Sequence, residues 1–169
     1  MQHPNLIPKE CNVTTLTNSD GCFDLQFRKD TRHERTGSPT YYRWKLEFVI
    51  TAPKENSAIL QQAKKALGCG NISVIKSQAR YSVQNIDDIF GIAIPHFSKN
   101  RLGENKKKDF ELWQKAAQII YKNKGKTITK WGKNNLMQLI EIHKLMAKNK
   151  TKPRRQKWIE VAEKFVKKS

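Results

Sequence analysis

Two kinds of feature are scarce in this chain of 169 residues, and each scarcity excludes a class of protein. Its three cysteines, Cys11, Cys22 and Cys69, are odd in number and lack paired ligand spacing, which argues against a disulfide framework and a zinc site. No run of roughly 18 apolar residues occurs, and the first nine residues lack the basic and apolar regions of a signal peptide. We therefore expect a soluble, unsecreted protein with reduced thiols and no membrane partner.

Acidic residues are also scarce, because 15 Asp and Glu stand against 33 Lys and Arg. The resulting net charge of +18 exceeds what solubility requires and suits a polyanionic partner such as nucleic acid. Charge alone fits a structural RNA-binding protein at least as well as a nuclease. The four histidines form no helical i, i+4 pair, so we assign none of them to a metal.

The hydrophobic pattern predicts one α+β domain in residues 1–150, followed by a basic helical extension in 151–169. Strands are predicted where apolar and polar residues alternate, and helices where apolar residues recur at helical spacing. The predicted strands are 22–28, 42–50, 72–76 and 81–84, with a polar loop at 29–39 and a turn at 77–79. The predicted helices are 56–67, 87–94, 107–121, 131–146 and 155–166.

One segment joins the end of a helix to the first strand and places a carboxylate at the joint, namely VTTLTNSDGC at 13–22. Three further blocks follow it in order: LQQAKKALGCG at 60–70, IPHF at 94–97 and KKKDFELW at 106–113. Together they resemble the LAGLIDADG family of intron-encoded homing endonucleases over roughly residues 13 to 125. In that family IPHF forms a turn.

The resemblance implies an αββαββα unit with a curved antiparallel sheet, here extended by C-terminal helices. It also implies a site-specific endonuclease that hydrolyses both strands of DNA with Mg²⁺ or another divalent cation. A chain with one motif must pair with a second copy to complete the DNA-binding saddle. We therefore expect a homodimer with a pseudo-palindromic double-stranded DNA target.

The resemblance assigns catalytic roles to Asp20 and Lys106, with Asp20 and the backbone carbonyl of Ser19 as metal ligands. Asp20 is alternatively a turn acid ahead of Gly21, and Lys106 is alternatively part of a solvated basic helix start. Two departures weaken the expectation of cleavage. Ala52 replaces the usual Gln that holds a catalytic water, and Thr15 replaces a Gly at the close helix contact.

A curved antiparallel sheet can follow the major groove and place alternate side chains at base edges. The acids on such a face would accept hydrogen bonds from base amino groups, since they repel phosphate. For each position the alternative is a solvated polar strand face. The predicted DNA-binding residues are Asp24, Gln26, Arg28, Arg43, Lys45, Glu47, Ser73, Lys76, Arg80 and Ser82.

Other functions remain open at this point. LAGLIDADG proteins can act as maturases that assist splicing of their host intron RNA, and Ala52 fits a protein that kept binding but lost cutting. A basic nucleic-acid-binding protein with a coincidental resemblance is disfavoured by the order of the blocks. The abundance of Lys, Asn and Ile indicates an AT-rich genome. The resemblance to a family common in organelle introns implies an organelle-encoded gene, and we expect a mitochondrial rather than a chloroplast location.

Overall fold

The computed structural model describes residues 12–31, 40–150 and 159–168, and its elements follow the predicted order. The α+β class and the αββαββα arrangement are confirmed. The strands are β1 (Gly21–Thr31), β2 (Thr40–Pro53), β3 (Asn71–Ile75) and β4 (Gln78–Val83). The helices are α1 (Val13–Asp20), α2 (Ser57–Leu67), α3 (Ile86–Asp88), α4 (Ile94–Lys99), α5 (Glu104–Lys122), α6 (Lys133–Lys148) and α7 (Ile159–Lys168).

The four strands form one sheet in the order β1-β2-β4-β3. Strands β2 and β4 pair antiparallel from Phe48 opposite Val83 to Pro53 opposite Gln78, and β3 pairs antiparallel with β4. Because side chains alternate along a strand, the apolar residues of β4 point to one face, where Tyr81 is fully buried. Polar residues of the same strands point to the opposite face.

Within the described residues, two compact units can be distinguished, each with an aromatic core. The first unit comprises 12–23 and 47–110, and in it the rings of Phe23, Phe48 and Phe97 pack with centroids 5.1–5.3 Å apart. The second comprises 24–31, 40–46, 111–150 and 159–168. In that unit Phe27 packs on Trp44, and the indole of Trp113 is fully buried.

Helix α1 is short, and its two ends are fixed by different interactions. The Asn12 side chain caps it by accepting a hydrogen bond from the Thr15 backbone N–H at 3.2 Å. At the other end, a Cβ on Gly21 would lie 2.6 Å from the Cα of Thr17. Only glycine therefore allows β1 to begin directly against the end of the helix.

Three local predictions were wrong. The β3–β4 turn is Lys76–Ser77, so Gln78 and Ala79 belong to β4. Residues 94–97 are helical, since α4 continues directly from a π-helical segment at Ile89–Ala93 and Pro95 lies in its first turn. Strand β1 continues to Thr31, into the predicted loop.

Two further expectations concern the chain ends. The predicted helix 155–166 is observed as α7, with its first four predicted residues outside the described ranges. The division at residue 150 stays a prediction. None of the helices in the described ranges is long and apolar enough to cross a membrane.

Candidate active site and nucleic-acid face

The joint between α1 and β1 places an exposed carboxylate at the last helical residue, Asp20. The neighbouring Ser19 hydroxyl donates to the Asp20 Oδ2 atom at 3.1 Å, and it also lies within hydrogen-bonding distance of the Leu16 carbonyl. Since Gly21 continues directly into the strand, the carboxylate projects from a fixed corner of the backbone. A charged oxygen donor is thus held at the surface of the first unit.

Two contacts attach the start of α5 to this joint. The Lys106 ammonium donates a hydrogen bond to the carbonyl oxygen of Gly21, and the Gly103 N–H donates to the Asn18 side-chain oxygen at 2.8 Å. Lys106 is half-buried, whereas the adjacent Lys107 and Lys108 are exposed. The structure therefore brings the two predicted catalytic residues, Asp20 and Lys106, to one place, although 86 positions separate them in sequence.

A cavity of about 400 Å³ opens beside Asp20 in the same unit. Thr51 and Ala52, at the end of β2, line it together with Glu55 and the apolar Leu16. The departure at Ala52 therefore lies next to the candidate carboxylate. Sequence reasoning missed Glu55, because its proximity to Asp20 arises from the folding of β2 back towards α1 and no local pattern signals it.

The donors at this corner suit a hard divalent cation. Asp20 offers carboxylate oxygens, and the backbone carbonyl of Ser19 is next to it in the chain. Mg²⁺ keeps several waters and is commonly bound by only one or two carboxylates. Within the described ranges, no three His, Cys, Asp or Glu side chains cluster closely enough to enclose a metal.

The predicted DNA-binding residues differ in exposure. In the second unit, Arg28 and Arg43 are exposed, and Gln26 and Lys45 are half-buried. In the first unit, the exposed residues are Ser73 and Lys76, and the half-buried ones are Arg80 and Ser82. The two acids, Asp24 and Glu47, are buried, with 7% and 3% exposure.

Both buried acids are ion-paired. In the second unit, Asp24 Oδ1 lies 2.8 Å from the Lys150 ammonium, and Asp24 Oδ2 accepts a hydrogen bond from Gln26. In the first unit, Glu47 pairs with Arg80 at 2.7 Å. The role of these acids as base contacts stays a prediction, and their burial argues against it. A third outward acid, Asp30, forms an ion pair with the predicted DNA-binding residue Arg43.

Sequence reasoning missed an apolar residue of the first unit on the outward face of the sheet, which is the face opposite the one that buries Tyr81. Ile75 pairs with Gln78, two positions from the Ser73–Arg80 pair, so all four side chains point to one face. Ile75 is 65% exposed. Alternation from Ser73 along the predicted strand would have placed Ile75 on this face, but nothing in the strand pattern signals that an apolar side chain there is left exposed.

Known proteins resemble this chain in sequence pattern and in fold. A family model described as LAGLIDADG endonuclease matches residues 14–117. The fold is similar to that of the homing endonuclease I-TnaI, with a TM-score of 0.69 and 17% identity over 91% of this chain and 95% of that chain. No curated protein matches the sequence.

Similar structures also include complexes with DNA. I-SmaMI bound to an uncleaved DNA target in the presence of calcium ions gives a TM-score of 0.71 and 17% identity, over 90% of this chain and 48% of that chain. I-CvuI in complex with the I-CreI target in the presence of Mg, with the DNA not cleaved, gives 0.67 and 14%, over 95% and 94%. Because the family model spans more than half of the sequence, from α1 into α5, the chain belongs to the LAGLIDADG endonuclease family.

Proposed function

We propose that this protein is a site-specific DNA endonuclease of the homing type, which hydrolyses one phosphodiester in each strand of a double-stranded target. The observation that carries the proposal is the α1–β1 joint. There the exposed Asp20 carboxylate ends the helix, and the Lys106 ammonium is held at the next residue by the Gly21 carbonyl. A carboxylate and a cation at one corner suit the chemistry of a phosphodiester.

The two side chains have complementary tasks. Asp20 and the Ser19 carbonyl would hold a divalent cation, which when bound supplies positive charge and a site for the attacking water. Lys106 would stabilise the negative charge that develops on the phosphate oxygens, since its ammonium is fixed before the substrate arrives. The cavity beside Asp20, lined by Thr51 and Ala52, gives room for water next to the carboxylate.

We propose that the active form is a homodimer. Helix α1 buries Val13, Thr14 and Thr17 but leaves Thr15 and Ser19 exposed on its other side. Ile59, which lines the Asp20 cavity, is also 38% exposed. Pairing of two α1 helices would cover this face and bring two Asp20 carboxylates together.

The comparisons support one unit per chain. The match extends over 95% of I-TnaI and 94% of I-CvuI but only 48% of I-SmaMI, which is what a single unit would give against a chain about twice its length. Each copy would then supply one carboxylate, and the twofold symmetry would make the DNA target pseudo-palindromic.

The basic character of the chain and its outward strand residues support double-stranded DNA as the partner. With a net charge of +18, the protein should bind duplex DNA in a strongly salt-dependent manner, because each phosphate contact releases counterions. Exposed Arg28 and Arg43 and half-buried Arg80 are available on the strands to contact base edges. Lys76, in the β3–β4 turn, is suited to a phosphate contact.

The test is cleavage of a defined substrate. We propose that the gene lies in an intron of an AT-rich organelle genome, mitochondrial rather than chloroplast. The substrate is therefore an intronless copy of its host locus, incubated with the purified chain and Mg²⁺. One discrete double-strand break that disappears on chelation is expected. Random nicking, or no cleavage of a duplex that is bound specifically, would contradict the proposal.

A second candidate function is favoured by one observation, the presence of Ala52 in the cavity beside Asp20. A protein that lost the water-positioning side chain could retain nucleic-acid binding and act as a maturase for its host intron RNA. Splicing of the intron transcript with and without the purified chain tests this alternative. Faster splicing together with an uncut intronless duplex would favour the maturase over the endonuclease.

A further inference from the structure

One buried carboxylate in the first unit has two donors on a single oxygen. Glu47 Oε1 lies 2.7 Å from Arg80 Nη2 and accepts a hydrogen bond from Gln84 Nε2, also at 2.7 Å. The Glu47 side chain is only 5% exposed, whereas that of Arg80 is 38% exposed. The acid is therefore enclosed, while the guanidinium that it binds still reaches solvent.

The strand register explains this enclosure. Arg80 is opposite Thr51, four residues along β2 from Glu47 on the same outward face. To form the ion pair, the Arg80 side chain must extend along the strands past Val49, which points to that face and is 7% exposed. The Arg80 side chain thus runs along the strands, and the ion pair fixes the direction of its guanidinium.

We propose that Glu47 is a positioning residue for Arg80 and does not contact a base itself. This inference rests on the proposed function. With Nη2 held by Glu47, and Glu47 held by Gln84, the guanidinium plane is fixed before DNA binds, which lowers the entropic cost of ordering a long side chain. Its remaining N–H donors can then face O6 and N7 of one guanine in the major groove, the commonest specific contact of arginine.

The opposite assignment, in which Glu47 accepts from a cytosine amino group, requires an accessible carboxylate oxygen. Glu47 Oε1 is already occupied twice, and the residue is almost fully buried. Swinging the Glu47 side chain towards DNA would break both contacts. The geometry therefore favours Arg80 as the residue that contacts a base. Glu47 remains bound to Arg80 and Gln84 within the protein, and neither Glu47 nor Gln84 contacts the DNA bases.

A binding selection from randomised duplexes tests the proposal with three variants, Glu47→Gln, Arg80→Gln and the double variant. Glutamine keeps the shape of Glu47 and avoids an unpaired buried charge, so folding should persist. Arg80→Gln should lose discrimination for guanine at one position per half-site, by about 5- to 150-fold. Glu47→Gln should weaken discrimination at that same position only. The double variant should resemble Arg80→Gln alone, because the two residues act as one network.

Asp30→Asn is the matched control, since it removes one carboxylate from a different ion pair, that with Arg43. If Glu47→Gln weakened discrimination merely by removing a negative charge, Asp30→Asn would weaken discrimination at the same base position. A uniform loss of binding to all sequences by Glu47→Gln would indicate a purely structural role. That result, or unchanged discrimination in Glu47→Gln, would overturn the proposal while leaving the proposed function intact.

NMR of the free protein tests the positioning role of Glu47 independently of DNA cleavage. In the wild type, the Arg80 guanidinium N–H signals should exchange slowly with water and be resolved by NMR, and Glu47→Gln should collapse them. Fast exchange in the wild type would overturn the positioning role whatever the DNA result. If the wild-type chain selects no sequence at all, the proposed function fails, and base reading by Arg80 fails with it.

Discussion

The Lys106 ammonium donates a hydrogen bond to the carbonyl oxygen of Gly21, the residue that follows Asp20. Helix α5 thereby places the Lys106 ammonium at the point where α1 ends and β1 begins. Because Lys106 is half-buried and already bound, its charge needs little reorganisation when a phosphate arrives. The contact distinguishes Lys106 from the exposed lysines beside it and supports its proposed role in cleavage.

Replacing Lys106 with methionine should lower the cleavage rate by about 10²- to 10³-fold, the usual cost of removing one preorganised group that stabilises developing charge. Target affinity should change only a few-fold, because one cation among many is lost. Lys108→Met is the control, since it removes an exposed charge from the same helix. Single-turnover cleavage kinetics distinguish the two variants, and equal rates for both would contradict the assignment.

Thr15→Glu should abolish the proposed dimer without destabilising the monomer. Thr15 is exposed on α1, three residues after the Asn12 cap. A glutamate there is favourable, because it complements the helix dipole and can bond back to the cap N–H. Across a twofold axis, however, two such charges would repel each other.

Light scattering should report a mass near 19.6 kDa for Thr15→Glu and about twice that for the wild type. Gln118→Glu, which adds the same charge at an exposed position of α5, should remain dimeric. A Thr15→Glu protein that stays dimeric and cuts normally would show that α1 does not form the interface.

The stability of the fold should fall at alkaline pH. Burial, with the nearby charge of Asp88, raises the pKa of the Cys69 thiol to about 11. Burial also raises the pKa of Tyr81, whose hydroxyl donates to the Cys69 carbonyl at 2.7 Å. Since the unfolded thiol ionises near pH 8.5, the stabilisation is complete below that value and is lost as the pH rises to about 11.

Urea unfolding followed by tryptophan fluorescence should therefore give a constant midpoint up to about pH 8 and a falling one above it. Cys69→Ala should show a shallower decline, with the remainder due to Tyr81. Identical slopes for both proteins would mean that Cys69 does not contribute.

The alternation of apolar residues located all four strands, although not their exact ends, because a period of two is a local property of the chain. Phe23, Leu25 and Phe27 are all buried as predicted. The β3–β4 turn was misplaced for an equally local reason. Lys76 adopts a φ of 56°, a left-handed conformation that favours Gly or Asn, so its side chain gives no turn signal.

Burial of the outward acids could not be predicted from the pattern. Alternation puts Asp24 and Glu47 on the polar side of their strands, but it carries no information about their partners. Lys150 is 126 residues from Asp24, and Arg80 is 33 residues from Glu47. Only the fold shows that these acids are enclosed by basic side chains.

Asp20→Asn should reduce cleavage by orders of magnitude while target binding stays within a few-fold. The amide keeps the shape of the side chain and can still accept from Ser19, but it loses the charge that would hold a cation. Glu141→Gln, which removes an exposed carboxylate from α6, is the control. Cleavage in Mg²⁺ is measured beside a gel-shift titration in Ca²⁺. Equal cutting by Asp20→Asn and the wild type would place the active centre elsewhere.

Ala52→Gln should raise the cleavage rate by roughly tenfold or more. Holding the attacking water in a reactive orientation lowers the barrier to its attack on the phosphate. Ala52 lines the 400 Å³ cavity beside Asp20, so a longer side chain has room to extend towards the carboxylate and bind water there. DNA affinity should not change, because the substitution alters neither charge nor the outward side chains.

Ala52→Leu is the control for side-chain volume. Leucine fills similar space to glutamine but has no amide group to bind a water. The leucine variant should cut no faster than the wild type, so a gain shared by both variants would mean that filling the cavity, and not water positioning, limits the rate. If the wild type does not cut at all and Ala52→Gln does, Asp20 and Lys106 are still arranged for cleavage in the wild type. Loss of one side chain would then explain how a binding protein arose from a nuclease.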